Sequence, residues 1–389
     1  RILTSMSVNF VGRPIEVNFL YDNIDKIGQG SELQTIVSHP GMDMDQVMGV
    51  CLYFLAHSHT SFNIIRTRNE TTLKLADDKS YTFIDIGGVY DPSKRKFDHH
   101  MPKPEMRNGV QLSATGMVWE EFKLTITCEL LYTAGYATEM EKLTVPTAAF
   151  IENAVLRDIN MRDNGNFYNI QSQPLYSTIY SRIERMGSGR NGLKPKTYLT
   201  ALEMCFNELF EAVNDYVTNV YQSNKLMHSL YSRNIEKDVL IIPSSVNWRR
   251  VLEVDNWNSE PQYANLISVI TYGSSSRTEF KVYVTKDSHG IDKAKLVIHY
   301  LPQEYRKNVL YLHNNLFMGK TNDLEAAYAL AGTAVQDHKL VSGLSADIRG
   351  RRNEALRDED FLGTNVEPAI LLDSSSGTSI PDDLDVDQM

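Results

Sequence analysis

The stretch "YTFIDIGGVYDPSKRKFDHH" (81–100) decides how this chain is read. It opens as a short apolar run that ends on a carboxylate, Ile84-Asp85-Ile86, and then turns at Gly87-Gly88. That is the pattern of a strand stopped by a tight turn, with an acidic side chain at its carboxyl end. It closes on Asp98-His99-His100, side chains that ligate hard or borderline cations. Upstream, "LQTIVSH" (33–39) reads as a strand, "MDQVMGVCLYFLAHS" (44–58) as a helix and "SFNIIRTR" (61–68) as a second strand. Downstream, "GMVWEEFKLTI" (116–126) and the run from Val145 to Arg157 read as helices. Strands alternating with helices predict an α/β fold with a parallel sheet covered on both faces. Ligands of such sheets bind beyond the carboxyl ends of the strands, where loops converge.

Further along, Gly187-Ser-Gly189-Arg190-Asn-Gly192 reads as a flexible punctuation point. The run Thr197 to Ser232 is a long amphipathic pattern, expected to bridge two domains. From Asp238 the pattern turns to period two in "VLIIP", "WRRVLEV", "NLISVITYG", "EFKVYVTK" and "KLVIHYL", which predicts an antiparallel sheet. A helix, "DLEAAYALAGTAVQ" (323–336), follows. The expected organisation is an extension over 1–33 with one strand-like stretch, Ile15 to Leu20, and a metal-binding domain over 34–195. A linking helix over 196–236, a smaller α+β domain over 237–340 and an acidic tail over 341–389 complete it.

Composition narrows the class. Of 389 residues, 42% are hydrophobic and 23% charged, ordinary for a globular protein, and no apolar run is long enough to span a membrane. Three widely spaced cysteines (Cys51, Cys128, Cys205) predict reduced, buried thiols, not a disulfide framework or a zinc site. The net charge of -10 misleads, because nine acidic residues and no Lys or Arg lie from Asp358 onward. The remainder is close to neutral, so a nucleic-acid contact would need a local basic surface. A tail of this composition stays ordered only if a protein partner holds it. The first fifteen residues hold Arg1 and Arg13 and no acid, which fits the remnant of a mitochondrial presequence.

Four clusters fall where this topology converges. They are His39 with Asp43 and Asp45, then Asp85, then Asp98-His99-His100, and finally Asp158 and Asp163. Each alone is a commonplace of turns and caps; their joint occurrence at element boundaries is not. Carboxylates with histidines suit Mn²⁺ or Mg²⁺, and a pair of ions about 3.5–4 Å apart would need a bridging carboxylate. Asp85 is the natural bridge. His39 and Asp43 would serve one ion and Asp45 and His99 the other, with Asp163 completing the set.

At this point the sequence resembles a known group. His39-x3-Asp43-x-Asp45, Asp85, Asp98-His99-His100 and Asp163 resemble the signature of the DHH phosphoesterase superfamily. More narrowly, "IIRTR" (64–68), "DIGGVYDPSKRKFDHH" (85–100), "SATGMVWEEF" (113–122) and "RDNG" (162–165) resemble the Myg family of that superfamily. The Myg family is described as 3′–5′ RNA exonucleases of mitochondria and nucleus. The resemblance implies a DHH-type domain at residues 34–195 and a smaller C-terminal α+β domain. It also implies six metal ligands (His39, Asp43, Asp45, Asp85, His99, Asp163), two divalent ions, and His100 and Asp98 as catalytic residues. This chain departs from the family's first motif: the loop is one residue shorter, Asp43 stands where a histidine is usual, and Gln46 replaces a glutamate. The segment "LYLHNNLFMGKTNDLEAA" (310–327) keeps only Gly319 of a Gly-Gly helix start, and the resemblance makes it the phosphate grip. There Lys320 is expected at a helix N-terminus that favours an anion, and His313 beside a phosphate or terminal ribose.

Arg66 and Arg68 are further candidates for the substrate, one of them reaching the cleft. Trp248-Arg249-Arg250 is a weaker one, for stacking on RNA. The function expected is a two-metal phosphodiesterase that trims single-stranded RNA from its 3′ end, in mitochondria, with nucleus or cytoplasm as alternatives. The rival reading is a catalytically reduced structural subunit of a large ribonucleoprotein assembly, and a small-molecule phosphatase is a third.

Overall fold

The computed structural model describes residues 2–10, 13–20, 34–57, 61–68, 81–107, 109–165, 178–231, 238–258, 260–273, 279–288 and 290–342. They fall into two compact units, Arg1–Asn224 with Trp248–Trp257, and Lys225–Asn247 with Asn258–Met389. The acidic tail, and the partner expected to order it, lie outside the described residues.

The first unit is built on a seven-stranded sheet. Its strands are β1 (Ile2–Phe10), β2 (Arg13–Leu20), β3 (Thr35–Ser38), β4 (Ser61–Arg66), β5 (Tyr81–Ile84), β6 (Tyr90–Asp91) and β7 (Lys96–Phe97), in the order β1-β2-β4-β3-β5-β7-β6. The five strands from β2 to β7 in that order pair in parallel, and β1 and β6 close the edges antiparallel. β3 and β5 are buried at every position, as strands covered on both faces must be. The α/β class expected from the alternation of strands and helices is therefore what the chain adopts. Met44–His57 is buried along nearly its whole length, with helix Ala114–Thr133 alongside it in one apolar core.

The N-terminal stretch, read as an extension with one strand, contributes two. Val8, Phe10, Ile15, Val17 and Phe19 of the β1–β2 hairpin are core residues, and Phe10 meets Phe206 at 4.6 Å between ring centroids. β1 escaped the reading because "ILTSMSVNF" dilutes its alternation with serine, threonine and asparagine. A short ribbon, β8 (Met106–Arg107) with β9 (Val110–Gln111), leads into helix Ala114–Thr133. Helix Met140–Ile151 continues through a π turn, Glu152–Leu156, into Arg157–Asp163. Helix Pro195–Asp215 likewise runs through a π turn to end at Tyr231, and the boundary between the units falls inside it.

The second unit carries a five-stranded sheet of β10 (Val239–Pro243), β11 (Ser268–Tyr272), β12 (Phe280–Val284), β13 (Val309–Leu312) and β14 (Met318–Thr321), ordered β10-β11-β12-β14-β13. It is mixed, not antiparallel throughout, because β10 joins β11 in parallel. Two expected strands are absent from it. "WRRVLEV" is a helix, Trp248–Asp255, whose buried residues Trp248, Val251, Leu252 and Asp255 fall at i, i+3, i+4 and i+7. "KLVIHYL" is buried from Lys295 to Ile298 without joining the sheet and passes through a 3₁₀ turn at Ile298–Tyr300. Gly319 has a packing reason: a Cβ there would lie 2.8 Å from Leu330 Cδ2, on the helix Leu324–Val341 that covers this sheet. No helix among the described residues is long and apolar enough to cross a membrane.

Candidate metal centre

The loop between β3 and helix Met44–His57 begins the site. Asp43 takes the capping position, its Oδ1 accepting from Gln46 N at 2.9 Å, while Gln46 Nε2 donates back to His39 O. Glu184 Oε1 accepts from Met44 N at 2.9 Å. Arg66, at the end of β4, donates to Pro40 O and, at 2.7 Å, to Gly192 O, with its guanidinium over the ring of Tyr198. Arg66 is therefore the clamp on the His39 loop. Arg68, two positions on, would share its face on a continuing strand. β4 ends at Arg66, and Arg68 is exposed. The glycine-rich stretch expected to be flexible is a 3₁₀ turn, Gly189–Leu193, held by that same clamp.

Asp85 follows β5 with φ +57°, a conformation an L residue adopts at a cost of roughly 1–2 kcal/mol. Strain of this kind is tolerated where it aims a side chain. Here the two carboxylate oxygens face different histidines. Oδ2 lies 2.8 Å from His39 Nε2 and Oδ1 lies 3.6 Å from His99 Nε2. His39 Nε2 is also 3.0 Å from Asp43 Oδ2, and His99 Nε2 is 3.0 Å from Asp163 Oδ2. The ligand atoms of His39, Asp43 and Asp85 lie within 4.8 Å of one another, as do those of Asp45, His99 and Asp163. A further set, Asp85, Asp98, His99 and His100, overlaps both groups. The structure thus brings all six sequence-proposed ligands into two neighbouring sets, with Asp85 touching each.

The donor set fits cations. Four carboxylates face two imidazoles in a mostly buried site, and Asp85 Oδ1, Asp163 Oδ2 and His39 Nδ1 are buried without a hydrogen-bond partner. Asp163 Oδ2 approaches His99 closely yet makes no aligned bond, as expected of two groups turned toward a common point. Burial pushes the Asp163 carboxyl up to about 8, reinforced by the charge of Asp45, and Asp45 up to about 6, reinforced by Asp85. Burial disfavours a charged His39, but the Asp43 and Asp85 carboxylates outweigh it and raise this imidazole to about 10. The same contest at His99, with Asp85, Asp45 and Asp163, gives about 9. Two imidazolium protons and one carboxyl proton thus stand where cations would bind.

The surrounding shell was not visible as such in the sequence. Asp45 is almost wholly buried, its oxygens accepting from Ala114 N and Thr115 N at 2.8 and 2.9 Å, at the N-terminus of helix Ala114–Thr133. That position suits an anion. Asn160 Oδ1 accepts from Ser113 N and Ser113 Oγ, and a Cβ on Gly116 would lie 2.3 Å from it. Gly116→Ala is expected to destabilise the fold by roughly 2 kcal/mol through this overlap, read as a fall in chemical-denaturation midpoint at constant slope.

Asn164 donates through Nδ2 to Gln111 O and Asn160 O, which turns its Oδ1 toward His99 Nδ1 at 3.2 Å. In the neutral imidazole the proton then sits on Nδ1, and Nε2 presents its lone pair to the carboxylates. Asn164→Leu should weaken Mn²⁺ binding about 10- to 100-fold by calorimetry; unchanged affinity would show that His99 needs no such partner. Both asparagine-bearing and serine-bearing stretches, "RDNG" and "SATG", stood out in the sequence only as family-like motifs, with no atom-level role attached.

Asp98 holds His100. Its Oδ1 accepts from His100 N and Nδ1, at 3.1 and 2.8 Å, and its Oδ2 accepts from Gly88 N. His100 itself is largely exposed. Asp158 pairs with Arg162 Nε at 2.7 Å and takes no part in either ligand set.

In the second unit, Lys320 lies on β14 and its ammonium pairs with Glu279. The N-terminus of helix Leu324–Val341 is capped by Asp323, whose Oδ1 accepts from Ala326 N at 2.8 Å. That carboxylate occupies the place expected for an anion. His313 Nδ1 accepts from Asn315 N in a turn. In the first unit, Trp248 is buried with Arg249 against its ring, while Arg250 pairs with Asp215 and Glu253.

A parallel sheet with carboxylates and histidines gathered past its strand ends defines an α/β protein with a candidate centre for metal ions. The chain belongs to the MYG1 exonuclease family, described as an uncharacterised protein family (UPF0160), whose model matches residues 35–335. Among curated proteins it is similar to the rat MYG1 exonuclease, at 23% identity over 209 residues, 50% of this chain and 53% of the rat protein. It is similar to the MYG1 protein of Dictyostelium discoideum at 23% over 241 residues (55% and 68%), and to the human MYG1 exonuclease at 22% over 209 residues (50% and 54%). The match spans about half the length of the mammalian relatives.

Proposed function

We propose that the chain is a metal-dependent phosphodiesterase of the DHH type that trims RNA from its 3′ end. The observation that carries this reading is that Asp85 turns one carboxylate oxygen to His39 of the first ligand set and the other to His99 of the second. The name exonuclease borne by relatives from rat and human supports the nuclease part. Two divalent ions, Mn²⁺ or Mg²⁺, would be held by His39, Asp43 and Asp85 and by Asp45, His99 and Asp163, and when bound would supply charge neutralisation at the phosphoryl oxygens and activation of water.

The remaining work falls to the chain. Asp98 fixes the Nδ1 proton of His100, so that Nε2 of this exposed imidazole serves a phosphate or leaving oxygen by hydrogen bond or proton transfer. The helix start at Ala114 and Thr115 holds Asp45, and Asn164 holds His99. The test is Mn²⁺-dependent hydrolysis of a 5′-labelled single-stranded RNA, with a chelator and Asp85→Asn as controls. A ladder of shortened products lost in both controls supports the reading. Absence of turnover together with absence of any Mn²⁺-induced rise in Tm would favour the second reading, a structural subunit of a larger assembly. The engagement of Lys320 with Glu279 is the observation on that side.

A further inference from the structure

We infer that the exposed basic segment Arg182–Lys196, bolted to the His39–Asp45 loop, is the track for the phosphate backbone of a single-stranded nucleic acid; this rests on the phosphodiesterase reading above. Between Thr178 and Lys196 the chain carries Arg182, Arg185, Arg190, Lys194 and Lys196 against one acid, Glu184. All five basic residues are exposed. Glu184 is turned away from solvent toward the loop, where its Oε1 accepts from Met44 N. The body of the chain is close to neutral once the acidic tail is set aside, so a polyanion finds no general attraction and depends on a local one.

The segment is joined to the candidate metal centre at two points. Gly187 packs so closely on Met42 that a Cβ would stand 1.9 Å from Met42 O, one residue before Asp43. Five residues on, Gly192 O and Pro40 O are held by the same Arg66 guanidinium. Helix Ile179–Gly187 and turn Gly189–Leu193 are therefore packed and hydrogen-bonded onto the loop that carries His39 and Asp43. Tyr180, near the start of that helix, has the guanidinium of Arg162, the residue before Asp163, 5.4 Å from its ring centroid, which sets this end of the segment near the ligand sets. Backbone phosphates running along the segment would enter at the ligand sets, and their counter-ions would be released as the cations replace them.

The experiment is anisotropy titration of a 5′-labelled single-stranded RNA with the full chain, in chelator so that nothing is cleaved, over a series of salt concentrations. Arg190→Ala with Lys196→Ala is compared with Lys142→Ala with Arg157→Ala, which removes the same charge from exposed positions on other helices. The first pair should lower the slope of log affinity against log salt by about 1.4, or about 0.7 for each phosphate contact, and weaken binding at least about fivefold at low salt. The conservative pair Arg190→Lys with Lys196→Arg should restore both. An unchanged slope, an equal loss in the comparison pair, or a wild-type chain without salt-dependent RNA binding each overturns the inference. Mn²⁺-dependent hydrolysis of bis(p-nitrophenyl) phosphate by the wild type is measured in parallel. Its absence would sink the phosphodiesterase reading, while the salt slope still judges the segment.

Discussion

Asp85→Asn is expected to reduce Mn²⁺-dependent phosphodiester turnover by about a thousandfold or more, with the fold intact. Asp85 is the carboxylate that faces both His39 and His99, so losing its charge weakens both ligand sets together. Asparagine is the informative replacement because it tolerates the left-handed backbone at this position, φ +57°, better than alanine does. In the metal-free protein the effects partly cancel. His39 and His99 lose a neighbouring anion, while Asp45 and Asp163 lose a repulsive one. Tm in chelator should therefore shift by only a few degrees, whereas the Mn²⁺-induced rise in Tm should vanish. Retention of that rise in the variant would place the metal elsewhere.

The second large effect is on pH. His39 and His99 titrate near 10 and 9 in the folded chain, above the ordinary histidine value. Their contribution is fully present below about pH 6.5 and is lost as pH rises through 9 to 10. Asp163, raised to about 8, and Asp45, raised to about 6, act in the same direction, since each holds its proton more tightly folded than unfolded. Asp85, lowered in the folded state, contributes in the opposite direction only at acid pH, where its protonation costs stability. In chelator, stability should fall by on the order of 2–4 kcal/mol between pH 7 and pH 10, a drop of roughly 5–10 °C in Tm. Bound cations replace those protons, so the rise in Tm caused by Mn²⁺ should grow over the same range. A metal-free Tm that climbs from pH 7 to pH 9 would contradict the charge arrangement described for the site.

The sequence by itself determined the α/β class, because buried parallel strands and covering helices leave periodic apolar patterns that need no partner to be recognised. "YTFI" and "TIVS" were legible as strands for that reason, and the carboxylates and histidines at their ends were legible as a group. The weaker patterns failed. β1 lacks clean alternation, and "WRRVLEV" has too few residues to separate period two from a helical face. At the site, spacing located the residues but not their atoms. That Asp85 turns one oxygen to each histidine depends on a left-handed backbone and on strand neighbours distant in sequence. Asn164 orients His99 only because two carbonyls, one of them 53 residues away, fix its amide. Lys320 met a partner, Glu279, just before the adjacent strand, and a helix start already capped by Asp323. Local pattern records which face of an element is buried; hydrogen bonds and ion pairs between distant segments exist only after the chain has closed, and those were settled by the tertiary structure.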